Sequence, residues 1–191
     1  MRETENVIIY ADAERCLGCH SCELACAVAH GGGSLVEAVR ERKPLHSRTK
    51  VVVSDQVMMP MQCRQCENAP CTMVCPTGAC RQQDGQVQIT EESCVGCKLC
   101  VMVCPFGAIT VRRDGHRQAD GSNNQGVALK CDLCRDWRAQ TGKSDPACVE
   151  ACPTKAIRLV EMKAYRTALI QARAKELAQS QKHMTLTLRK P

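Results

Sequence analysis

Sixteen of the seventeen cysteines fall into four sets of four, each with a spacing suited to iron–sulfur ligation. The first set is Cys16, Cys19, Cys22 and Cys26, and the second is Cys63, Cys66, Cys71 and Cys75. The third is Cys94, Cys97, Cys100 and Cys104. The fourth, with a longer gap in its middle, is Cys131, Cys134, Cys148 and Cys152. The first and third match the C-x2-C-x2-C-x3-C run, whose fourth thiolate serves the neighbouring cluster. Four [4Fe–4S] cubanes need about sixteen thiolates. A polypeptide that holds four cubanes in a row is suited to moving electrons.

Two other uses of cysteine fit less well. A disulfide framework belongs to secreted chains. Residues 1–16 show no long apolar core, no small-residue cleavage site and no twin-arginine pair before an apolar stretch, so they do not read as a signal peptide. Structural zinc uses paired C-x2-C units. It has no use for a third cysteine two residues on, nor for the Cys-Pro that ends three of the sets: Cys75-Pro76, Cys104-Pro105 and Cys152-Pro153.

The elements that must position these thiols show as an internal repeat. "VCPTGA" at 74–79 recurs as "VCPFGAITV" at 103–111 and as "ACPTKAIRLV" at 151–160. Each copy closes a cysteine run, turns and enters a β-branched stretch. Strands are expected at 7–10, 50–53, 86–90, 109–112 and 157–160. Short helices are expected after the third cysteine of a run, as at 23–30 and 99–104, and proline after the fourth cysteine stops them.

This is the α+β grammar of a bacterial two-cluster ferredoxin, present twice. In that arrangement three ligands come from one run and the fourth from the other. The second and third runs are adjacent and should form one unit, with the first and fourth closing around them. The expected ligand sets are Cys16, Cys19, Cys22 with Cys152; Cys26 with Cys131, Cys134, Cys148; Cys63, Cys66, Cys71 with Cys104; and Cys75 with Cys94, Cys97, Cys100. The expected organisation is a discontinuous outer ferredoxin-like unit (1–50 and 127–162), an inner one (51–126) and a helical tail (163–191).

Cys80 is left over and reads first as a small buried hydrophobe, second as a spare or redox-active ligand. Residues 31–48 and 112–126 read as loops, either solvated connections or docking segments. The tail has helix-forming composition, with Ile170, Ala174, Leu177 and Ala178 on one side. It could dock on an acidic partner, but the reading adopted is that it packs on its own protein. His20 lies inside the first run and is read as an incidental loop residue. His30, His46, His116 and His183 are scattered and form no site. Met58, Met59 and Met61 should pack against a cluster or the core. No nucleophile–base pair, phosphate loop or dinucleotide fingerprint is present, so no catalytic residue is expected.

With one Trp, one Phe and two Tyr in 191 residues, a large aromatic core is excluded. Clusters can replace part of it, and metal binding then supplies folding free energy. The apoprotein is expected to be largely unfolded. The formal charge of +6 counts cysteines as neutral. Each oxidised cluster with its thiolates adds about −2, so four take the holoprotein to about −2. The basic pI therefore gives no support for nucleic-acid binding. No stretch approaches the ~20 apolar residues of a membrane span.

From residue 7 to about 160 the four runs in this order resemble the four-cluster ferredoxin subunits of molybdopterin oxidoreductases, formate hydrogenlyase-type complexes and carbon monoxide dehydrogenases. "CLGCHSCELACAVAH", "QCRQCENAPC", "CVGCKLCVMVCPFGAI" and "KCDLC" look most similar to the iron–sulfur subunit of anaerobic nickel carbon monoxide dehydrogenase. The resemblance implies a non-catalytic electron-transfer subunit with four [4Fe–4S] clusters and no [3Fe–4S] cluster. Its implied partners are a carbon monoxide dehydrogenase catalytic subunit and a membrane-bound hydrogenase or other redox acceptor. The implied place is cytoplasmic, tied to the inner membrane only through a partner. The rival source of electrons is a formate dehydrogenase or formate hydrogenlyase-type complex. Low cluster potentials are expected from all-cysteine ligation and the implied redox couples. Cys26 departs from the pattern, being followed by Ala27 where the other runs have proline.

Overall fold

The computed structural model describes residues 6–55, 57–112 and 126–188, with side chains described to residue 181. In chain order these form β1 (Val7–Ala11), α1 (Ser21–Gly31), α2 (Leu35–Arg40), β2 (Lys50–Ser54), β3 (Val57–Met61), α3 (Pro70–Met73), β4 (Cys80–Gln83) and β5 (Gln86–Ile89). They continue with α4 (Leu99–Val103), β6 (Thr110–Arg112), β7 (Val127–Leu129), α5 (Arg135–Thr141), α6 (Ala147–Glu150), β8 (Ile157–Glu161) and α7 (Met162–Leu188). The strands pair as four antiparallel two-stranded ribbons: β1 with β8, β2 with β3, β4 with β5, and β6 with β7.

The β1–β8 pairing runs from Val7 opposite Glu161 to Ala11 opposite Ile157. It draws together the segments that lead into the first run and out of the fourth. Helices α1 and α6 pack beside it, each carrying cysteines of one of those two runs. Helices α3 and α4 pack together in the same way and carry cysteines of the second and third runs. The β4–β5 ribbon turns on Asp84-Gly85, both at positive φ (51° and 71°). This is the two-residue hairpin that Asp-Gly favours, because both central residues must be left-handed.

All five expected strands form, at slightly different bounds. Strands β3, β4 and β7 are additional. Pro60 in β3 disguises that strand in the sequence, yet it is tolerated in a two-stranded ribbon, where every strand is an edge. Within the segment read as a loop at 31–48, α2 is a correction. Ser34 Oγ accepts from Glu37 N at 3.2 Å, and Glu37 Oε2 accepts from Ser34 N at 2.7 Å. That reciprocal capping box starts a helix despite the glycines before it. Residues 113–125 of the second expected loop lie outside the described residues.

The tail corrects a second expectation. It is helical, but residues 163–181 are all exposed, and Ile170 and Leu177 keep 62% and 63% of their surface in water. It meets the body near its start, at β8 and through Arg166 Nη2, 4.0 Å from Glu67 Oε1. The reason is its composition. Strong helix formers make it helical, but its apolar stripe is too thin to give burial a driving force.

Two buried clusters form the core. One gathers Ile9, Val51, Leu133, Val149 and Ile157 around Cys22, Cys63, Cys131, Cys148 and Cys152. The other gathers Ala69, Val87, Ile109 and Ala128 around Cys71, Cys80 and Cys100. The apolar side chains are few and small, and cysteines take up much of both interiors. Gln65, fully buried, braces them. Its Nε2 donates to Cys131 O at 2.9 Å, and its Oε1 accepts from Val87 N at 2.9 Å.

Candidate iron–sulfur centres

Each cysteine run begins with the same backbone feature. The residue before the second cysteine is left-handed in all four: Gly18 (φ 64°), Gln65 (50°), Gly96 (63°) and Leu133 (58°). This curls the C-x-x-C segment so that its amides and thiols face inward. Glycine does this without strain. Gln65 and Leu133 do it against their Cβ, and both are held by near-complete burial. In the first and third runs a second left-handed residue, His20 (60°) and Lys98 (67°), launches α1 and α4. The third and fourth cysteines of those runs then lie on or at the end of a short helix.

Backbone amides point at the sulfurs. Arg48 N donates to Cys26 Sγ at 3.3 Å, Cys80 N to Cys75 Sγ at 3.3 Å, Ala108 N to Cys104 Sγ at 3.5 Å and Ala128 N to Cys94 Sγ at 3.5 Å. Such donors stabilise thiolate, the form that ligates iron. The donor set therefore fits [4Fe–4S] clusters: all-sulfur, grouped in fours and approached by N–H groups.

The thiols group as follows. Burial pushes Cys148 far up, and the nearby Cys131, Cys134 and Cys26 push further. Burial likewise takes Cys134 to about 12, with Cys26 contributing. Cys66 is raised by burial and then by Cys63, Cys71 and Cys104. Cys100 is raised by burial, then by Cys94 and Cys97, and also by Cys71 of the second run. Burial takes Cys22 to about 11, with a small contribution from Cys16, while Cys19 feels Cys152 weakly. Cys75 lies in one core with Cys66, Cys71, Cys94, Cys100 and Cys104, cysteines of both inner sets. Cys19 and Cys97 are exposed, while all of Cys26, Cys131, Cys134 and Cys148 are buried.

Cys80 is 3% exposed, the same as Ile109 and Ile157, which hold the matching place in the other two copies of the repeat. It is thus a buried small residue, as expected. Cys80 is the largest influence on Cys71 and holds that thiol below its usual range. Met58 lies beside the first run, close enough that a Cβ on Gly18 would meet its Sδ at 3.1 Å. The His20 side chain lies 3.2 Å from Glu23, and its left-handed backbone, rather than its ring, serves the run by starting α1.

His30 corrects the reading that the histidines form no site. Its Nδ1 lies 2.7 Å from Cys26 O and 3.7 Å from Cys26 Sγ, and its Nε2 lies 3.0 Å from Asp132 Oδ1. Arg48 Nη1 donates to Asp132 Oδ2 at 2.5 Å, and Cys134 N donates to Oδ1 at 3.0 Å. Against its burial, the bond to Asp132 lifts His30 to about 10. Against its own burial, Asp132 is held well below the carboxylate range by His30 and Arg48. The network joins the first run, the segment before the second and the fourth run. A helical i, i+4 step from Cys26 to His30 was the one sequence signal for it.

No helix among the described residues is long and apolar enough to cross a membrane. A 4Fe-4S dicluster domain model matches residues 54–162, and a 4Fe-4S binding domain model matches residues 13–29. The chain is similar to an iron-sulfur protein of Rhodospirillum rubrum, 67% identical over 181 residues that cover 94% of this chain and 95% of that one. It is also similar to the electron transport protein HydN of Escherichia coli K12, at 38% over 82% of this chain and 89% of the relative. A third relative is formate hydrogenlyase subunit 2 of the same organism, at 36% over 82% of each.

Proposed function

Because this chain belongs to the ferredoxin-type 4Fe-4S dicluster family of electron-transfer proteins, we propose that it is a four-cluster electron wire within an oxidoreductase complex. When bound, each [4Fe–4S] cluster takes up and releases one electron. The chain's own work is to supply sixteen thiolates in the four nested sets, to direct amide donors at them and to exclude water. The observation that carries this reading is the meeting of run with distant run. β1 pairs with β8, α1 packs on α6, and Asp132 of the fourth run meets His30 on the helix that carries Cys26. The exposed Cys19 and Cys97 offer two edges, in different ligand sets, where electrons can enter and leave.

The nesting is tested by pairwise ligand removal. Cys26→Ala and Cys131→Ala should abolish the same electron paramagnetic resonance signal, and Cys22→Ala and Cys152→Ala a different one. If Cys26→Ala and Cys22→Ala remove one common signal, the pairing is wrong.

For the partners, we favour electrons delivered by a nickel carbon monoxide dehydrogenase and passed to a hydrogenase, on the resemblance of stretches in all four runs. The formate reading has its own support in the relative named formate hydrogenlyase subunit 2. Strictly anaerobic co-purification with metal analysis separates them. Nickel with the captured partner supports the first, and molybdenum or tungsten supports the second.

A further inference from the structure

Lys130 follows β7 and immediately precedes the first cysteine of the fourth run. It is a charged residue with 3% of its surface exposed. Its Nζ donates to Cys131 O at 2.8 Å. The same carbonyl accepts from Gln65 Nε2 at 2.9 Å, and Gln65 stands between Cys63 and Cys66. The ammonium therefore sits on the seam where the second run meets the fourth.

An ammonium removed from water demands a countercharge. No carboxylate among the described residues is paired with Lys130, and the adjacent Asp132 is engaged by His30 and Arg48. The ligand thiols that feel its positive charge are Cys63, Cys71 and the neighbouring Cys131, with the non-ligand Cys80 beside them. In the sets proposed above, those three ligands belong to two different clusters.

We propose that Lys130 is a fixed cation shared by two clusters, those of Cys63, Cys66, Cys71 with Cys104 and of Cys26 with Cys131, Cys134, Cys148. The assignment rests on those ligand sets. Each cluster with its thiolates carries about −2 when oxidised and about −3 when reduced. Two such anions facing each other in a low-dielectric interior make each reduction harder. A buried positive charge between them stabilises both reduced states and raises both potentials together. Lys130 acts through the ligands and is a positioning residue.

The test compares Lys130→Gln, Lys130→Met and Lys130→Arg in anaerobic redox titrations followed by electron paramagnetic resonance, with iron counted in each. Gln keeps a donor for the Cys131 carbonyl without the charge, Met keeps the volume, and Arg keeps the charge. Expected is a fall of two of the four midpoints in Lys130→Gln and Lys130→Met, with Arg near the parent. The size expected is about tenfold in each one-electron equilibrium constant, about 59 mV. Unchanged midpoints in a neutral variant that retains about sixteen irons would overturn the assignment, as would a fall in one centre only or in all four. If both neutral variants lose iron, retention by Lys130→Arg supports the charge, and equal loss by Lys130→Arg overturns it. Failure of the wire itself would show separately, as a parent protein with far fewer irons.

Discussion

Cys80 and Gln65 show how a single side chain's role is decided by what surrounds it. Cys80 is a thiol among ligands, yet the repeat puts isoleucine in its place twice, and its burial equals theirs. Cys80→Ile is therefore expected to keep about sixteen irons per chain. A loss of about four would make Cys80 a ligand. Gln65 is uncharged and lies in a variable position of a ligand run, but it closes two buried hydrogen bonds. Gln65→Leu leaves the Val87 amide without its acceptor and takes one of two donors from the Cys131 carbonyl. It should destabilise the protein by about 2–3 kcal/mol. In urea, its cluster absorbance should bleach at lower denaturant than that of the parent, and an unchanged midpoint would refute the bracing role.

Among the elements, α7 stands apart. Every described side chain from 163 to 181 is exposed, and the helix packs on β8 near its start. Removing residues 163–191 should leave all four cluster signals and the iron content as they are. A truncated chain that failed to hold its clusters would show that α7 stabilises the body. The short elements behave in the opposite way. Helices such as α3 and α6, four residues each, are far too short to form alone. Each carries a cysteine at its second position, and ligation of that thiol would hold the turn in place. The four ribbons are likewise only two strands wide and would be marginal in isolation.

At the scale of the whole molecule, the same reasoning makes the clusters part of the fold. The buried apolar set consists largely of alanine, valine and cysteine, with no buried aromatic ring among the described residues. Hydrophobic burial of this kind cannot offset the ordering of so long a chain. Removal of iron with a strong chelator under anaerobic conditions should therefore abolish most far-ultraviolet circular dichroism. Retained native ellipticity, apart from the contribution of α7, would show that the polypeptide core suffices. The buried thiols add to the effect, because burial pushes Cys22 to about 11 and Cys134 to about 12, so protons must leave as iron enters.

The amino-acid order by itself determined which residues can ligate, where the strands leading out of the third and fourth runs lie and where each run stops. These are local matters. Ligand spacing, β-branched stretches and a proline after a cysteine act within a few residues. The Ser34–Glu37 capping box and the Asp84-Gly85 turn are local signals of the same kind, carried by residues within three positions of each other. Only the tertiary structure decided that His30 meets Asp132, that Lys130 faces the second run and that α7 stays in water. Those depend on contacts between residues up to about a hundred positions apart (His30 and Asp132 are separated by 102), and no pattern of neighbours along the chain encodes such a meeting. The physical cause is that the first and fourth runs share a space through the pairing of β1 with β8, a contact between strands at opposite ends of the sequence.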